Sequence, residues 1–160
     1  EGSRDDRYTK ISEKATTDAQ KAAVETFKAA IEAAVSKRQD AVDAAIATFR
    51  SAVDQLISDR KSSVESAAAA HKSAVDAAIA QAKADCAAGV DAATIRTNLQ
   101  AALKSANDAF RVSAKRPEDL DEQVKALRAT RDAVIKSAID TFKSEFDAAK
   151  AVLKTALQSS

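Results

Sequence analysis

A chain of 160 residues is long enough for one domain with a core of its own. Ala makes up about a quarter of it, Gly and Pro together occur three times, and aromatic residues are 4% with no Trp, so the composition points to helices with a thin aliphatic core. Twenty-five basic and 24 acidic residues leave a net charge of +1, which gives no strong field for nucleic acid or an anionic membrane.

Residues 1–8 are polar and read as an arm, and residues 9–160 as a single elongated helical domain. The first helix is expected over about 9–86, on the order of 115 Å long at 1.5 Å per residue. Its mark is an eleven-residue repeat. Val24, Val35, Ile46, Ile57, Ala68 and Ile79 form one column, and Ile31, Val42, Val53, Val64, Val75 and Cys86 a second. A third reads Phe27, Arg38, Phe49, Arg60, His71 and Ala82. Eleven residues make three turns, near the natural pitch of an α-helix. The columns hold phase across the polar clusters at 36–40 and 58–63, so the helix is expected to be unbroken there. A basic column (Lys28, Gln39, Arg50, Lys61, Lys72, Lys83) and an acidic one (Glu32, Asp43, Asp54, Glu65, Asp76) border the stripe. They are spaced for i,i+4 pairs such as Lys28–Glu32 and Arg50–Asp54, the pattern of a solvated face.

Gly89 reads as a C-terminal cap and Asp91 as the N-cap of a second helix over about 92–113, with Ile95, Leu99, Leu103 and Phe110 on one face. Pro117 suits the first turn of a third helix over about 118–157. Its stripe is Leu120, Val124, Leu127, Val134, Ala138, Phe142, Phe146, Ala149 and Leu153. Gly89 and Pro117 are thus the two expected sharp turns. The fold class is all-α: an elongated bundle or coiled coil with one very long helix followed by two shorter ones. Helices so unequal cannot pair fully, so the first half of the long helix is expected to lack an internal partner.

The Arg residues in the Phe27 column have two readings. Either their stems cover apolar surface while the heads reach water, or they form polar layers that fix register and stack on Phe.

Catalytic chemistry has little material. His71 and Cys86 are the single His and Cys, about 22 Å apart along one helix, too far to share a metal or act as a nucleophile–base pair. No glycine-rich phosphate loop, Walker pattern, HExxH or CxxC is present. No catalytic, cofactor or metal site is expected. No apolar run is long enough to span a membrane. One Cys makes no internal disulfide. The absence of Met, even at position 1, fits a removed N-terminal segment, as in a secreted, periplasmic or cell-surface protein, or a tag remnant at Glu1-Gly2-Ser3.

The expected function is therefore structural and non-enzymatic: a self-associating helical subunit of an oligomer, fibre or surface assembly. Its interaction stripe is Val24, Phe27, Ile31, Val35, Arg38, Val42, Ile46, Phe49, Val53, Ile57, Arg60 and Val64. The alternative is a lipid- or granule-surface protein. The eleven- and 22-residue period with this Ala and Lys content resembles the helical repeats of exchangeable apolipoproteins and phasins. That resemblance implies amphipathic helices lying on lipid. Lys lines one edge of the stripe and Ala the other, whereas lipid-surface helices carry Lys on both.

Overall fold

The computed structural model describes residues 4–158, which form four helices: α1 (Arg4–Ser12), α2 (Asp18–Ala87), α3 (Ala92–Ser113) and α4 (Leu120–Gln158). The fold is all-α, with one long helix followed by two shorter ones. As the phase of the columns requires, α2 is unbroken through 36–40 and 58–63.

The N-terminal end departs from expectation. Much of the supposed arm is helical, and the long helix begins at Asp18 rather than Thr9. A third turn, at residues 13–17, therefore joins those at Gly89 and Pro117. The cause is a capping box. Gln20 N–H donates to Thr17 Oγ1 at 3.2 Å, and Thr17 N–H donates to Gln20 Oε1 at 3.2 Å. Each side chain satisfies an N–H that the first turn leaves without a helical partner. Thr16 N–H also donates to Gln20 Oε1 at 2.9 Å, and Gln20 Nε2 donates to the carbonyl of Leu157 at 3.4 Å. Gln20→Ala is expected to cost about 1–2 kcal/mol in urea unfolding, since it removes the Gln20 half of the capping box and the tie to the end of α4.

Gly89 has φ +78°, the left-handed conformation of a helix terminator, and Val90 N–H returns to the Asp85 carbonyl at 3.0 Å. No heavy atom lies within 4 Å of a Cβ built there, so Gly89→Ala meets conformational strain alone. About 1 kcal/mol is the expected loss. Asp91 caps α3 by accepting from the N–H groups of Ala93 at 2.9 Å and Thr94 at 3.0 Å. Bonds from the Thr94 side chain and backbone hold its carboxyl below the usual carboxylate range. A depressed pKa gives stability that is present above that range and lost as pH falls through it. Asp91→Asn, which keeps an acceptor but no charge, is expected to flatten this acid limb of a circular-dichroism stability profile.

Pro117 precedes α4 instead of lying in its first turn, and Leu120 N–H bonds to the Pro117 carbonyl at 3.4 Å, closing a turn just ahead of the helix. The helices pack as two compact units, Glu1–Arg50 with Lys125–Ser160, and Ser51–Val124. In the first unit α4 runs antiparallel to α2: as α2 passes from Gln20 through Lys37 to Phe49, its partners on α4 fall from Leu157 through Glu145 to Arg131. In the second unit α3 runs antiparallel to α2, from Arg60 beside Lys115 to His71 beside Phe110.

The first half of α2 therefore has an internal partner, contrary to expectation. The length mismatch does not leave it bare, because two helices share the task. α3 takes the later part of α2 and α4 the earlier part.

Candidate interaction surface

Each antiparallel pair is keyed by the same eleven-residue step. In the first unit the Arg38 guanidinium lies 4.7 Å from the Phe142 ring centroid, and the Arg131 guanidinium 4.8 Å from that of Phe49. Arg38 and Phe49 are eleven apart on α2; Arg131 and Phe142 are eleven apart on α4. The two cation–π contacts are thus one motif read in opposite directions. Each contributes about 0.5–2 kcal/mol, more when desolvated. Sliding α4 by one repeat would place Arg131 against Arg38 and bring two positive charges together. Of the two readings of the Arg column, stacking on Phe is the arrangement found for Arg38.

Arg60 does something else. It donates to the carbonyls of Ala114 and Lys115, the latter at 3.1 Å, at the C-terminal end of α3, where the helix dipole favours a cation. In the second unit His71, eleven residues on, packs on Phe110 with ring centroids 5.5 Å apart, and its Nε2 lies 2.9 Å from Asn107 Oδ1. Cys86 is exposed.

The α4 stripe read from the sequence holds Leu120, Phe142 and Leu153 but not Arg131, which stands in the same eleven-residue column, and it holds Val124 and Phe146 but not Ile135 and Leu157 of the next. The signal was present as an eleven-residue spacing. Arg131 is a charged residue in an otherwise apolar column, and Val134, expected inward, is 42% exposed.

The expected interaction stripe is divided in its surroundings. Val24, Phe27, Ile31 and Val35 are buried in a cluster with Tyr8, Ala15 and Leu153, against which Ile11, Phe142, Phe146, Ala149 and Leu157 pack. Tyr8 and Phe146 each meet Phe27 edge-on, at centroid distances of 6.3 Å. Arg38, Val42, Ile46 and Phe49 are half-buried, as are Val53, Arg60 and Val64, while Ile57 is exposed.

One column makes the contrast plain. Val24 is 2% exposed and Val35 9%, whereas Ile57 is 62% exposed and Ile79 41%. These are equivalent positions of the same repeat. In the first unit α1, with Tyr8 and Ile11, and α4, with Phe146, Leu153 and Leu157, both pack on the cluster that holds Val24 and Val35. In the second unit α3 is the partner of α2, and Ile57 and Ile79 stay exposed.

The charged strip is only partly paired. Lys61–Glu65 and Lys72–Asp76 lie at 3.8 and 2.6 Å, and the Asp76 carboxylate raises the pKa of Lys72. Lys28 lies over the Tyr8 ring, at 5.9 Å, in place of pairing with Glu32. Lys37 bridges to Glu145 on α4 at 2.8 Å. Such exposed pairs add little stability. Among the described residues no cluster of His, Cys, Asp or Glu is placed to hold a metal ion, and no helix is long and apolar enough to cross a membrane.

No family model, curated protein or solved structure matches this chain.

Proposed function

We propose that this chain is a non-enzymatic, self-associating helical protein whose contact surface is the uncovered part of the α2 repeat in the second unit, centred on Ile57 and Ile79 with Val53 and Val64 beside them. The observation that carries this reading is the change in one column from 2% exposed at Val24 to 62% at Ile57. The repeat supplies the same residue type at both places, and in the first unit a helix covers it. A helix from another copy would do for Ile57 and Ile79 what α1 does for Val24 and Val35.

Burying an exposed Ile side chain contributes roughly 1.5–3 kcal/mol, so a row of them can drive association.

Sedimentation equilibrium at micromolar concentration tests this. Wild type is expected to sediment as an oligomer, and Ile57→Asp with Ile79→Asp as a monomer of unchanged helical circular dichroism. A monomeric wild type, or a double variant that assembles as well as wild type, would overturn the proposal.

A further inference from the structure

We infer that the cleft roofed by α1 in the first unit is a binding site for a medium-chain fatty carboxylate. Its walls are apolar: Tyr8 and Ile11 from α1, Phe27 and Val35 from α2, and Phe146 from α4. Arg7 of α1 and Arg38 of α2 also line it. The cleft holds about 280 Å³. That exceeds the about 150 Å³ that admits benzene and lies just below the usual small-molecule range of about 300–1,000 Å³. It is room for a short aliphatic chain, not for a long acyl chain or a folded lipid.

The charge selects the head group. Arg38 lies against the Phe142 ring. Stacking of this kind occupies the face of the guanidinium and leaves its edge N–H groups able to bind a carboxylate. Neither Arg7 nor Arg38 forms an ion pair among the described residues, and no carboxylate lines the cleft. Three other clefts of similar size in this unit differ in that respect. In one, Arg131 is bound to Asp132 at 2.7 Å. In the second, Lys37 is bound to Glu145 at 2.8 Å. In the third, which also borders α1, the Glu25 carboxylate lines the wall together with Lys28. Among these four, the cleft of Arg7 and Arg38 alone joins aromatic walls to cations with no carboxylate lining it or paired with them. The inference rests on the first unit and does not depend on self-association.

Tyr8 is the single tyrosine and there is no Trp, so intrinsic emission reports on this cleft. The experiment titrates full-length protein with decanoate below its micellar concentration and follows Tyr8 fluorescence. A saturable change with one site per chain is expected, with decanol at least about tenfold weaker. Arg38→Gln is expected to weaken decanoate at least about tenfold, and Arg7→Gln, on the exposed rim, to weaken it severalfold without touching the core. Val35→Phe, which fills the cleft and keeps both charges, is expected to abolish binding while circular dichroism stays helical. Arg50→Gln, outside the cleft, is expected to bind as wild type. Decanol equal to decanoate, many sites per chain, undiminished binding by Val35→Phe, or response to phosphatidylcholine vesicles with none to decanoate would each overturn the inference.

Discussion

Phe27→Ala is expected to cost about 3–5 kcal/mol, the loss typical of a buried Phe reduced to Ala. Phe27 is 8% exposed and makes edge-on contacts with both Tyr8 and Phe146, so its ring joins three helices. Few other large side chains are buried in this Ala-rich unit, and the space is not easily refilled. Total stability of a domain is about 5–15 kcal/mol, so the change consumes a large share. Urea unfolding followed by circular dichroism and by Tyr8 emission gives the measurement. Ile57→Ala is the internal control: it lies on the same stripe but is 62% exposed. In the isolated chain it is expected to cost well under about 1 kcal/mol. Similar losses at both positions would contradict the division of the stripe.

Phe142→Arg is expected to destabilise by about 2–4 kcal/mol, because it removes a cation–π contact and sets a second guanidinium against Arg38. Exchanging the pair, Arg38→Phe with Phe142→Arg, restores one cation and one ring and is expected to recover at least half of that loss. A double-mutant cycle isolates the coupling. An exchanged pair no better than the single variant would show that the contact sets no register.

The long helix was legible because nothing between Asp18 and Ala87 breaks it and because a repeat that keeps phase leaves no room for a turn. The terminators were legible too: Gly89 needs its left-handed φ, and Asp91 offers an acceptor to two N–H groups. The capping box Thr17-Asp18-Ala19-Gln20 is equally open to reading, but the lack of Gly and Pro from Ser3 to Ala88 favours a helix that runs on from Thr9. α1 was less accessible. A nine-residue, mostly polar segment forms no stable helix alone, and what holds this one is the docking of Tyr8 and Ile11 on distant residues.

Pairing was the larger miss, and its cause is physical. Comparing helix lengths one against one ignores that α3 and α4 each take a different stretch of α2. The eleven-residue columns of α4 carry that information through Arg131 and Phe142. A charged residue in an apolar column reads as an interruption until its aromatic partner is known. The exposure of Ile57 could not be read at all from the repeat, which treats it as equal to Val24. What separates them is tertiary packing: Val24 lies in the cluster built by α1, α2 and α4, and Ile57 does not.

The central claim is that another copy covers the Ile57–Ile79 face. The direct measurement is an inter-chain distance between nitroxide labels on Lys61→Cys, at the edge of that face, in a Cys86→Ser background. The account expects a defined dipolar distance between chains, lost when labelled protein is mixed into excess unlabelled chain and absent in Ile57→Asp with Ile79→Asp. A label that reports no neighbouring chain at any concentration up to the hundred-micromolar range would contradict it.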